Sequence, residues 1–256
     1  MDARHSRFAL ARLLASAAAV LLVLAGVAVL GHAPRQAAAP ARGARPGPPP
    51  MRSAPPHPAS LELAQALAAP ALADAVGRGA YLARLGDCVA CHTAPGGKPF
   101  AGGLAMASPI GTIYSSNITP DVRTGIGGYT FKDFDRAVRH GVAKGKGSLY
   151  PAMPYPSYAR VSERDMKDLF AYFQSLAPVD NEVPGNGVPW PLSMRWPLAV
   201  WRALFAPDPA EVQAAQAPPA SAGADPLLRG AYLVEGLGHC GTCHTPRAPT
   251  MQEKGL

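Results

Sequence analysis

The 256-residue sequence predicts a mainly α-helical protein, one small helical domain wrapped by long loops and followed by the incomplete start of a second such domain. Three observations carry this. Apolar residues recur at helical spacing, behind capping residues, in separate stretches. The segments between them are rich in Gly and Pro and show no convincing alternation for strands. Residues 78–97, RGAYLARLGDCVACHTAPGG, return at 229–248 as RGAYLVEGLGHCGTCHTPRA.

The chain opens with Arg4, Arg7 and Arg12 before an eighteen-residue apolar run at 13–30, which reads as an export segment. The run exceeds the 7–15 residues usual for a signal peptide and approaches the roughly 20 of a membrane-spanning helix, so residues 1–33 read as a cleaved signal or a retained anchor. In either case the arginines stay cytoplasmic and the remainder is exported. Residues 34–60 hold nine prolines and read as an extended tether. Of the formal net charge of +7, residues 1–60 contribute seven arginines against Asp2 alone; residues 61–256 carry 17 basic against 16 acidic side chains. The basic character therefore belongs to the tail, and the folded part has no nucleic-acid footprint.

The first domain is expected at 61–178. One helix over about 74–85 leads directly into the first cysteine pair. A second has Thr130 as N-cap, Asp133 three residues on, Phe131, Phe134 and Val138 on one face, and Gly141 as its stop. In the third, Ser162 caps with Asp165 following; Met166, Leu169, Phe170 and Phe173 form the apolar stripe, and Pro178 ends it. Loops this long in a small domain usually serve a site. Residues 179–224 form a Trp/Pro-rich connector and linker with all three tryptophans, Trp190, Trp196 and Trp201. This connector reads either as inter-domain packing or as a docking surface for a partner or membrane. Residues 225–256 begin the second domain.

All four cysteines lie in Cys-x-x-Cys-His: Cys88, Cys91 and His92, then Cys240, Cys243 and His244. Two disulfides are an option in an exported chain, but they leave unexplained a histidine after each pair and a threonine, Thr93 or Thr245, after each histidine. Zinc ribbons space their pairs by about 15–20 residues, against about 150 here. A thiol-exchange site would need a βαβ setting, for which there is no pattern. The motif is the attachment signal for haem c: on one helical turn both thiols can reach the two vinyl groups of a porphyrin, and the histidine comes under the iron. The other axial ligand of such a haem is typically Met, which raises the potential. Met106, Met153 and Met166 are the candidates. Met166 falls on an apolar stripe and reads as core; Met106 is only fourteen residues after His92. Met153, in YPAMPYP, is held by flanking prolines and is the predicted ligand. The other ring nitrogen of His92 is expected to donate to a backbone carbonyl in the loop 95–103. Asn117 and Thr119, in SSNITPD, read as a turn satisfying buried backbone or haem propionates rather than as a glycan acceptor. Lys144 and Lys146 read as solvated loop charges, and His239 as a surface residue.

Together with NITPDVRTGIGGYTFKDF and LYPAMPYPSY, these motifs make the chain resemble the multihaem cytochrome c subunits of membrane-bound bacterial alcohol, aldehyde and gluconate dehydrogenases, from about residue 72 onward. The resemblance implies class I cytochrome c-like domains, each a set of three or more helices wrapped round a covalent haem. It implies Cys88, Cys91, His92 and Met153 around a first haem c, and Cys240, Cys243 and His244 at a second. It further implies no catalytic residues and a place on the periplasmic side of the inner membrane. The expected partners are a quinoprotein, flavin or molybdenum dehydrogenase subunit and an acceptor, ubiquinone or a terminal oxidase. Family members carry three such domains. Here the first module takes about 100 residues and the second has 28, so a C-terminally truncated sequence is expected. Two other functions stay open: a diffusible electron carrier, and an open-site haem enzyme or sensor that binds a small ligand.

Overall fold

Helix α1 (Ala75–Leu85) begins where the Asp74 carboxylate accepts the Gly77 N–H at 2.6 Å, satisfying a first-turn amide that has no partner in the helix. The computed structural model describes residues 74–215 and 226–254, which fall in one unit. The export segment and tether expected at 1–33 and 34–60 lie outside the described residues, as do residues 61–73 of the expected first domain and residues 216–225 of the linker. After α1 come α2 (Cys88–Cys91), one turn carrying the first cysteine pair, and the antiparallel strands β1 (Ala105–Ser108) and β2 (Gly111–Tyr114), with Met106 opposite Ile113. Next are α3 (Phe131–His140), the two-residue strands β3 (Val142–Ala143) and β4 (Gly147–Ser148), α4 (Tyr155–Tyr158) and α5 (Glu163–Ser175). The connector folds as α6 (Trp196–Phe205) and α7 (Pro209–Ala215); α8 (Pro226–Tyr232), a π-helical turn (Leu233–Leu237) and α9 (Gly241–His244) complete the described chain.

The three long helices of the first domain fall where the apolar spacing predicts them. The two hairpins correct the expectation of loop alone between helices. Strands of four and two residues are too short to display an alternating pattern.

The core forms where α1 crosses α5. Leu82 and Ala83 meet Leu169 and Phe173, joined by Phe134, Val161, Met166 and Leu237. Gly79 permits this crossing: a Cβ there would overlap the Asp168 carbonyl oxygen and lie 2.6 Å from the Tyr172 Cβ. Beside it the Arg78 guanidinium forks onto the Asp168 carboxylate, at 2.7 and 2.8 Å.

Thr130 and Asp133 form a reciprocal capping box on α3, and Lys144 pairs with Asp133 at 3.1 Å. The Thr130 bonds, followed by Lys144, hold the Asp133 carboxyl down at about 2. A depressed carboxyl pKa stabilises the fold above the unfolded value near 3.9, and that contribution is lost as pH falls towards about 2. Thr130→Ala is therefore expected to cost about 1 kcal/mol at neutral pH. Denaturant titrations should show the gap to the parent narrowing between about pH 4 and pH 2.

The second copy of the repeat is one residue longer than the first, with Arg78 ten residues before Cys88 and Arg229 eleven before Cys240. The extra residue is taken up in the π-helical turn, the usual way a helix absorbs a single insertion. Tyr232 of α8 anchors this module on the start of α5: its hydroxyl accepts the Ser162 N–H at 3.0 Å and donates to Asp165 at 2.6 Å.

Candidate functional site

A cavity of about 550 Å³ opens beside α2, within the range of cofactor sites. Cys88, Cys91, His92 and Met153 all line it, with Phe134, Leu169 and Phe173 among its apolar walls. Both thiols are free. Burial, with smaller contributions from the Cys91 and Asp87 charges, pushes the Cys88 thiol up to about 12; burial also raises Cys91. Reactive or metal-binding thiolates need the opposite shift, so these sulfurs stay uncharged at neutral pH.

The His92 ring is fixed from behind. Its Nδ1 lies 2.7 Å from the Ser116 carbonyl oxygen. A carbonyl only accepts, so Nδ1 carries the proton and the Nε2 lone pair is left for a metal. Burial lowers the His92 pKa and outweighs the opposing Ser116 bond, which leaves the ring neutral at neutral pH. The acceptor is thus not in the loop 95–103, as the sequence suggested. That loop folds on itself, with Gly97 N–H donating to Ala94 and Phe100 N–H to the Thr93 hydroxyl, and it braces His92 from the side through the Gly102 N–H at 2.8 Å. Gly102, at φ 74°, lets residues 115–117 pass against it; a Cβ there would overlap Ser116. The Gly102-Gly103 pair was the available signal for that close approach.

Residues 117–124 continue from this carbonyl as a tight turn in which Asn117 and Thr119 are buried while Val122 and Arg123 face solvent. Asn117 Oδ1 accepts from the Thr119 N–H and hydroxyl at 2.9 and 2.7 Å, and its Nδ2 donates to the Val179 carbonyl at 2.7 Å. The sequon side chains therefore satisfy backbone, and Asn117 is buried.

Of the three methionines, Met166 is fully buried in the core and is not part of the cavity wall. Met106 and Met153 both reach it. Met106 sits on β1 and packs on Ile113, Tyr150 and Val188. Met153 lies in the turn between Pro151 and Pro154, with its N–H on the Tyr150 carbonyl at 3.2 Å, and packs on the core below the cavity. Lys144 is tied to Asp133, whereas Lys146 is exposed at the cavity wall.

Several wall residues had no sequence signal. Glu182, Asn186 and Arg195 come from the connector. Asn186 accepts the Tyr114 N–H at 2.9 Å, and the Arg195 guanidinium stacks 4.4 Å from the Tyr150 ring centre. Trp201 donates to the Thr250 carbonyl at 2.6 Å, while Trp190 and Trp196 are exposed. Leu237 and His239, from the second module, also line the first cavity, so His239 is not the plain surface residue expected of it. Cys240, Cys243 and His244 are solvent-exposed and outside this cavity.

No protein-family model matches the chain. Curated proteins do. The gluconate 2-dehydrogenase cytochrome c subunit of Pantoea cypripedii is 66% identical over 183 residues, 71% of this chain and 40% of that protein. The cytochrome c subunit of the quinone alcohol dehydrogenase of Gluconacetobacter polyoxogenes is 57% identical over 183 residues, covering 71% of this chain and 38% of the relative. A diheme cytochrome c-type protein of Cereibacter sphaeroides is 39% identical over 175 residues, 66% of this chain and 57% of its own. The chain thus spans about two fifths of the length of the two dehydrogenase subunits. With a cavity joining the Cys-x-x-Cys-His residues to a methionine, the chain is identified as a homologue of the cytochrome c subunits of dehydrogenase complexes.

Proposed function

We propose that the chain carries electrons, without catalysing a reaction itself, from the catalytic subunit of a dehydrogenase to ubiquinone or a terminal oxidase, on the periplasmic side of the inner membrane. One observation carries this reading: two uncharged thiols on one turn, an imidazole fixed through Nδ1, and the Met153 thioether all line one largely apolar cavity of about 550 Å³. Those residues fit haem c. Cys88 and Cys91 would hold it covalently, with His92 and Met153 as its axial ligands. Haem c supplies a one-electron couple at iron.

The protein's own part is to set that couple. The Ser116 carbonyl orients the imidazole and raises its basicity. The thioether and the apolar walls favour the reduced form. Between the two methionines, Met153 is preferred because it stands in a proline-framed turn with no strand partner, whereas Met106 is held in a ladder opposite Ile113. On this reading the described residues before the linker form a class I cytochrome c-like domain to which the connector adds one wall. Cys240, Cys243 and His244 are the attachment set of a second domain. The names of the relatives support the dehydrogenase partner. An open-site enzyme or sensor would instead show high-spin iron with Met153 unbound.

The test is a pyridine haemochrome count on the exported chain. The Cys88→Ala/Cys91→Ala double variant is expected to lose one covalent haem per chain. The reading also requires that the haem lost with that pair be reduced by a dehydrogenase of the alcohol or gluconate class plus substrate. An unchanged count, or a haem that no such enzyme reduces, would overturn it.

A further inference from the structure

The first cavity is finished by residues that come from the second attachment module. Leu237 is 1% exposed; it belongs to the first domain's core and would touch a Cβ on Gly86 at 3.2 Å. Two residues on, His239 stands edge-on against Tyr158, ring centres 5.6 Å apart and planes at 80°. Tyr158 is itself buried and donates to the Gly86 carbonyl at 3.1 Å, directly before the first cysteine pair. The His239 ring is therefore placed on the Cys88 side of the cavity.

Its orientation is built in twice. The residue has left-handed φ of 38°, as Asp87 has 49° at the matching place before Cys88. Histidine and aspartate are among the side chains that tolerate this conformation. Its Nδ1 donates to the Leu237 carbonyl at 3.0 Å, which keeps the ring folded back towards the cavity. The module cannot drift away, since Tyr232 is bonded to Ser162 and Asp165, and Arg160 faces Glu235 at 3.6 Å.

We propose that His239 is a positioning residue for the first haem site: with Leu237 it forms the wall on the Cys88 side, keeps water from the bound group, and so makes that site's potential depend on the second module. This rests on the reading that the cavity holds haem c. Excluding water from a redox group disfavours its more charged, oxidised form. A wall lent by the neighbouring module therefore raises the first potential.

Spectroelectrochemical titration of the holo-protein tests this with two variants, each in the parent chain and in a Cys240→Ala/Cys243→Ala background where one haem titrates. His239→Asn removes the ring but tolerates the left-handed backbone. It is expected to lower the reduced-to-oxidised ratio at the parent midpoint at least threefold, about 28 mV at ~59 mV per tenfold change. His239→Phe keeps a covering ring, as Phe100 does in this chain at φ 63°, and is expected to stay within twofold of the parent. An unmoved potential in His239→Asn, or an equal fall in His239→Phe, would overturn the proposal. A haem count that stays at the parent value alongside an unmoved potential sinks this inference and leaves haem binding standing.

Discussion

Met153→Ala is expected to abolish the Met-to-iron charge-transfer absorption of the holo-protein and to lower its midpoint by more than ~59 mV, a tenfold change in the reduced-to-oxidised ratio. The side chain lies between Pro151 and Pro154, so alanine leaves the backbone of the turn in place and removes only the thioether and its packing on the core. The packing loss is on the order of 2 kcal/mol for a half-buried methionine. The spectrum and the stability should thus separate, with the band gone and the fold retained. Met106→Ala is the control. It loses contacts to Ile113 and Tyr150 but should keep the band. If Met106→Ala removes the band and Met153→Ala does not, the axial ligand is Met106.

Gly79→Ala should have the largest effect on folding. Two opposing terms decide its sign. Alanine is favoured over glycine in a helix interior by about 1 kcal/mol. Against that, the new methyl would overlap the Asp168 carbonyl and sit 2.6 Å from the Tyr172 Cβ, both on α5. These are backbone and near-backbone atoms that cannot rotate away, so α1 and α5 must separate. That opens the contacts of Leu82 and Ala83 with Leu169 and Phe173, and pulls Arg78 from Asp168. A net loss of about 3 kcal/mol or more is expected from overpacking at this crossing. Gly230 occupies the same place in the second copy of the repeat and has open space where a Cβ would go. Gly230→Ala should be neutral or slightly stabilising. Denaturant midpoints of the two variants, measured side by side, test the argument, and equal losses would refute it.

The elements legible in the sequence were those whose signal is local. Thr130 and Ser162 each announce a helix start, and each side chain accepts the expected backbone N–H. The Cys-x-x-Cys-His residues that line the cavity were legible for the same reason, since the motif spans one turn. What escaped was non-local. The carbonyl behind His92 comes from Ser116, 24 residues on, and no pattern marks a backbone oxygen. Arg195 reaches the cavity from a segment whose composition suggested a connector. His239 looked like a surface residue beside a second motif, because only the docking of Tyr232 on Ser162 turns it towards the first.

The π-helical turn at Leu233–Leu237 fixes how the two motifs face each other. One residue in an α-helix is a rotation of about 100°. The wider π-helical turn takes up the eleventh residue between Arg229 and Cys240, so the second motif is not rotated by that angle relative to the first. Deleting Val234 is expected to let the turn close as ordinary α-helix with the motif's phase unchanged. The bulge thus preserves, across one added residue, the geometry by which the second module lends Leu237 and His239 to its neighbour's cavity.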